Sequence, residues 1–323
     1  MALMTVSCAS LRAPARLNRL VNRVERNADR YRPSDWSRVN RKYENLVQEY
    51  IERYTEFAEF MTEHGFVVFG HDHIGHGDSV SSEADWGIMH TDTPSDTMVS
   101  DMFSNYKIAK EQYPDKPYFI LGHSMGSYLL RKFLVKKAGE LKGVNGAIIM
   151  GTGTESDITI KAGMAVVKMV AACKGWDYKS KFVAGLMFSA PYKKFDVTGR
   201  DKANSWLSRN VDSVTKYYSD PKDTYMFSLN GYRVLLECTG FDNRMENIRK
   251  MNLDIPVFFV SGKDDPVGNL GAGVTLAYEK FKEAGVRDVS MKLYENDRHE
   301  ILNELDRQDV YEDILKWFEE HMA

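Results

Sequence analysis

Cysteine is scarce in this chain. Its three residues in 323, Cys8, Cys173 and Cys238, cannot all pair and show no metal-ligand spacing. That excludes a disulfide framework, favours a reducing compartment, and makes a cytoplasmic location the expectation. No apolar run is long enough to span a bilayer, and there is neither an internal repeat at solenoid periods nor a low-complexity tract. The net charge is only −3, and beyond residue 50 no basic stripe with interleaved aromatics appears, so a nucleic-acid role has no electrostatic support. What is present is 43% hydrophobic residues, enough to bury one large α/β core plus an insertion without a second independent domain. The expected partner is a small molecule.

Strand and helix patterns alternate along much of the chain: strand at 66–71, helix near 97–113, strand at 118–121, helix at 127–137, strand at 146–150. This order predicts a mostly parallel, doubly wound sheet. Between about 153 and 240 helical patterns follow one another with no strand between them, and the alternation resumes at Ile255, so this stretch reads as a helical cap inserted in the sheet. Within it, residues 162–172 are apolar and methionine-rich, which suits a surface that adapts to an acyl chain. The same pattern would serve an ordinary helix packed on the core.

The run Gly122-His123-Ser124-Met125-Gly126 lies between a strand pattern and a helix pattern, the context a G-x-S-x-G elbow requires. Ser124 is therefore the candidate nucleophile, and the backbone N–H of Met125 is a candidate oxyanion donor. A serine hydroxyl needs a general base and a group to orient that base, which in this arrangement follow in the order acid, then histidine. Lys263-Asp264-Asp265-Pro266-Val267 follows a buried-strand pattern and offers the acid, either Asp264 or Asp265. His299, in a loop after the short strand pattern at 289–294, offers the base. His71, His73 and His76 could suggest a metal site, but they fall in or beside a glycine-rich loop where side chains diverge, and a serine triad needs no metal or other cofactor.

Four ordered segments make the chain resemble the monoacylglycerol lipase and lysophospholipase branch of the α/β-hydrolases, also grouped with serine-aminopeptidase-like hydrolases. They are Phe66-Val67-Val68-Phe69-Gly70-His71-Asp72-His73-Ile74-Gly75-His76-Gly77-Asp78-Ser79, the serine elbow, Ser261 to Val267, and Arg298-His299-Glu300-Ile301-Leu302-Asn303-Glu304. The resemblance begins near Ile51 and implies the α/β-hydrolase fold. It divides the chain into a core part at 51–152, the cap at 153–240 and a second core part at 241–323. It selects Asp265 over Asp264, because the acid in such proteins lies three residues after the glycine that ends its strand. Trp206-Leu207-Ser208-Arg209-Asn210 is similar to a segment found in the caps of these lipases. The implied substrate is a lipid-like ester, with transient contact between the cap and a membrane surface.

Residues 1–50 depart from the family pattern. They hold nine arginines and one lysine against five acidic residues, a net +5, whereas the rest of the chain carries −8. Related proteins open with an antiparallel strand pair and a buried strand ending in His-Gly, whose loop supplies the second oxyanion donor. Aligned backward, that pair would fall at Asn45-Leu46 and the donor at the backbone of Val47, yet the preceding stretch reads as polar helix. The first strands are thus expected to be missing or replaced, with this segment lying outside the sheet. A basic arm, or a shifted reading frame that replaced the original start, would each account for the change in composition, and the abrupt return of the family pattern favours the second.

These features predict a serine hydrolase of monoacylglycerols or lysophospholipids acting through an acyl-enzyme. Two alternatives stay open: a weakly active or inactive remnant with an incomplete oxyanion hole, and a peptidase or thioesterase using the same triad.

Overall fold

A computed structural model describes residues 2–7, 53–188 and 190–322. Among these residues six parallel strands form one sheet: β1 (Ala2–Ser7), β2 (Phe66–His71), β3 (Tyr118–His123), β4 (Val144–Met150), β5 (Val257–Gly262) and β6 (Val289–Tyr294), in the order β2-β1-β3-β4-β5-β6. The helices, in chain order, are α1 (Thr55–Glu63), α2 (Pro94–Gln112), α3 (Met125–Lys136), α4 (Asp157–Lys174), α5 (Lys181–Met187), α6 (Val211–Ser219), α7 (Leu229–Asp242), α8 (Met245–Ile248), α9 (Ala272–Ala284) and α10 (Arg307–Glu320). Two apolar layers cover the sheet, one containing Tyr106, Leu130, Phe133 and Phe281, the other Phe57, Tyr311 and Phe318. Strands buried on both faces read as near-continuous apolar runs, which is why β3 and β5 stand out in the sequence.

The expectation that the first fifty residues lie outside the sheet does not hold for Ala2–Ser7. This strand fills the place between β2 and β3, with Leu3 opposite both Val67 and Tyr118 and Ser7 opposite both His71 and Gly122. Leu3 and Met4 are fully buried, one in each apolar layer, and the Thr5 hydroxyl meets that of Tyr118 at 2.5 Å. Among the described residues no antiparallel pair precedes β2, so a parallel strand stands where the family pattern would place another. The helix pattern before Asn45 and the proposed donor Val47 lie outside the described residues.

Between β4 and β5 the described chain is helical, apart from a single bridge between Asp196 and Ser205. Ser156 caps α4 by accepting from the Thr159 N–H at 3.1 Å. Val167 and Ala171 on this helix pack with Val183, Leu229, Tyr232 and Leu236, so the apolar stripe is used for packing against α7. Met164 lines an open cleft of about 650 Å³ with Phe241, Leu236 and several lysines, and none of Ser124, Asp265 and His299 borders it.

Candidate active site

Ser124 sits at the junction of β3 and α3 with φ 54° and ψ −124°, a conformation that costs an L-residue of order 1–3 kcal/mol and persists only when its surroundings enforce it. They do so here. The Ser124 N–H donates to the Met150 carbonyl at 3.1 Å, and its own carbonyl accepts from the Ser127 N–H and hydroxyl at 2.9 and 2.6 Å. A Cβ at Gly122 would lie 2.4 Å from the Gly126 carbonyl oxygen, so the elbow closes only because position 122 has no side chain. Met125 is the first residue of α3, and the first-turn N–H groups of a helix have no partner within it.

β5 and β6 end side by side and deliver the other two residues. A Cβ on Gly262 would lie 2.2 Å from the carbonyl oxygens of both Asp297 and Arg298; glycine there lets the acid loop and the histidine loop touch. Asp265, wholly buried, accepts from His299 Nδ1 at 2.9 Å, from the Ser261 hydroxyl at 3.2 Å and from the Val267 N–H at 2.8 Å. Asp264 points to solvent. The structure therefore brings Asp265 and His299 together and leaves Asp264 apart. His299, 2% exposed, lies with its ring 4.8 Å from that of His123, the residue before Ser124. No hydrogen bond joins Ser124 to His299 among the described residues; such contacts commonly tighten only when substrate binds.

Several supporting residues were invisible in the sequence. The Tyr54 hydroxyl meets His123 Nδ1 at 2.7 Å, and His123 Nε2 meets the His299 carbonyl at 3.0 Å, so the elbow histidine bridges α1 and the histidine loop. Burial above all, with the Arg53 guanidinium nearby, holds the His123 imidazole well below its ordinary value and hence neutral. The segment at 206–210 grips the same loop. The Leu207 carbonyl accepts from the Glu300 N–H at 2.8 Å, and Arg209 pairs with Asp297, with Glu304 at 3.2 Å and with Asp306 at 2.7 Å. Asp297, Glu304 and Asp306 are also the one set of acidic or imidazole groups, among the described residues, close enough to share an ion, and Arg209 already supplies their positive charge. Only the Trp206-Leu207-Ser208-Arg209-Asn210 resemblance pointed here.

His71, His73 and His76 do not converge on a common point; their rings meet edge to face, 4.7 and 6.4 Å apart. Burial lowers all three, His71 and His76 to about 4. A histidine depressed in the folded state contributes stability that is present above the unfolded value near 6.5 and is lost as pH falls toward 4. His71→Phe removes one such group, so the variant should lose less stability than the parent between pH 7 and pH 5, by up to about 2 kcal/mol. Urea unfolding at the two pH values measures this, and equal losses would show that His71 is not held neutral.

A parallel sheet with a strained serine elbow and a carboxylate-bound histidine at neighbouring strand ends defines an α/β-hydrolase. The chain belongs to the family described as serine aminopeptidase, S33, which matches residues 47–306. Human monoglyceride lipase is 25% identical over 281 residues, covering 85% of this chain and 80% of that protein. A thermostable carboxyl esterase from Bacillus coagulans, solved with glycerol, is 29% identical with a TM-score of 0.74, over 84% of this chain and 86% of that one. Monoglyceride lipase from Saccharomyces cerevisiae, solved as a soluble variant with a substrate analogue, shares the fold at 20% identity and a TM-score of 0.60, over 83% of each chain. The chain is a hydrolase of the monoglyceride lipase and esterase kind. No helix among the described residues is long and apolar enough to cross a membrane.

Proposed function

We propose that the protein hydrolyses carboxylic esters of lipid-like substrates, monoacylglycerols or lysophospholipids, with Ser124, His299 and Asp265 as its triad. The observation that carries this reading is the buried Asp265–His299 hydrogen bond of 2.9 Å beside the strained elbow serine. With the Nδ1 proton donated to Asp265, Nε2 is the free base of the imidazole. Ser124 Oγ attacks the ester carbonyl while His299 takes its proton, and the Met125 N–H stabilises the oxyanion. His299 then protonates the departing alcohol, and a water activated by the same imidazole releases the acid from the acyl-enzyme. Asp265 keeps the tautomer and balances the imidazolium. The free thiols of Cys173 and Cys238 fit a cytoplasmic location. Ile158 and Met169, 81% and 64% exposed on α4, fit a cap that touches a lipid surface.

The test is a fluorophosphonate probe followed by a substrate series. Labelling should occur at Ser124, and long-chain monoacylglycerols should be cleaved faster than acetyl esters or peptide anilides. An unlabelled folded protein would indicate the inactive remnant. Labelling with a preference for peptide anilides would indicate a peptidase.

A further inference from the structure

Trp206 belongs to the segment between β4 and β5, far in sequence from the elbow and both triad loops, yet its indole stacks on His299 with ring centroids 5.1 Å apart and planes 27° from parallel. It is held there by its backbone. The Trp206 N–H donates to the Asp196 carbonyl at 3.2 Å, its carbonyl accepts from the His299 N–H at 3.5 Å, and neighbouring Leu207 and Arg209 are tied to the same loop. Edge-to-face contacts with Tyr192 and Phe188, at 5.6 and 6.0 Å, also hold the indole. A second ring close to parallel with His299 is that of His123, at 33°.

We propose that Trp206 is a positioning residue for the reaction, fixing the plane of the His299 imidazole and stabilising the imidazolium that forms when Ser124 gives up its proton. The proposal rests on the triad reading above. Three physical points support it. A catalytic imidazole must pass a proton between two oxygens without swinging away, and a flat ring against its face restricts that rotation without obstructing the in-plane Nδ1 bond to Asp265 or the in-plane approach to Nε2. The electron-rich face of an indole attracts a cation, most strongly where water is excluded, and His299 is buried. The neutral ring of His123 adds no opposing charge. Because Trp206 is borne on the helical insertion, any displacement of that segment would disturb the chemistry as well as substrate binding.

The experiment compares Trp206→Phe, Trp206→Leu and Trp206→Ala, measuring kcat and KM on a monoacylglycerol and the labelling rate with a small fluorophosphonate. Thermal melting confirms that each variant is folded. Trp206→Phe should stay within about threefold of the parent, whereas the leucine and alanine variants should lose roughly 10- to 30-fold in kcat, with parallel losses in labelling rate and little change in KM. Leucine matching phenylalanine would reduce Trp206 to a space-filler, and a loss confined to KM would make it a substrate contact; either result overturns the proposal. If the parent itself is never labelled at Ser124, the triad reading falls first and the proposal falls with it. The phenylalanine and leucine variants keep the test decisive should alanine prevent folding.

Discussion

Ser124→Ala is expected to abolish ester hydrolysis, with a loss on the order of 10⁴–10⁶ in turnover and an undiminished melting temperature. The two effects separate because the elbow conformation is one that serine tolerates under strain; alanine keeps the backbone bond to Met150 while deleting only the attacking oxygen. His299→Ala should show a comparable loss. Asp265→Asn should cost nearly as much by favouring the wrong imidazole tautomer, about 10⁴ in kcat, whereas Asp264→Asn, at an exposed position, should stay within a few-fold. Turnover by purified variants with a soluble nitrophenyl ester decides the matter. Substantial activity in folded Ser124→Ala would sink the nucleophile, and a reversed ranking of the two aspartates would sink the choice of acid.

The second large effect concerns stability. Leu3→Ala and Met4→Ala are each expected to lower the unfolding free energy by about 2–5 kcal/mol, the range for emptying a fully buried aliphatic position. Leu3→Asp should prevent folding, since an unpaired charge would lie in the apolar layer that Leu3 shares with Tyr106 and Phe133, in a domain whose total margin is about 5–15 kcal/mol. Chemical unfolding monitored by circular dichroism provides the measurement. Midpoints equal to the parent's would show that Ala2–Ser7 does not occupy the sheet.

That strand also marks where sequence reading stops. β3, β4 and β5 were legible because each is an apolar run bounded by turn residues and set in a repeating strand–helix order, and the alternating β6 begins and ends where expected, at Val289 and Tyr294. Ala2–Ser7 carries the same kind of run, but it opens a basic segment that departs from the family pattern, and six residues of that kind fit several environments equally well. Only pairing with Phe66–His71 and Tyr118–His123 gives it a place. The candidate residues Ser124, Asp265 and His299 were picked out by motif and order, and the structure brings Asp265 and His299 together. The contacts of Tyr54, His123 and Trp206 were not legible, because each acts across loops that sequence spacing does not bring together; of the three, Trp206 alone was marked, by resemblance and without a role. For the methionine-rich stretch now within α4, composition left two readings open, an acyl-adapting surface and a helix packed on the core; Val167 packs against α7 while Met169 is exposed.

The register of β1 has a kinetic corollary. Ala2 pairs with Phe66 and Leu3 with Tyr118, so the strand is synthesised well before either neighbour and cannot be zipped in by local contacts. Such a topology has high contact order, and parallel pairing across long loops is slow and exposes unpaired backbone while it waits. During translation the segment must therefore wait for β2, which begins 59 residues after Ser7, and its second edge for β3, which begins 111 residues after it. Yield should accordingly respond to chaperone supply and growth temperature more than the finished sheet's stability would suggest.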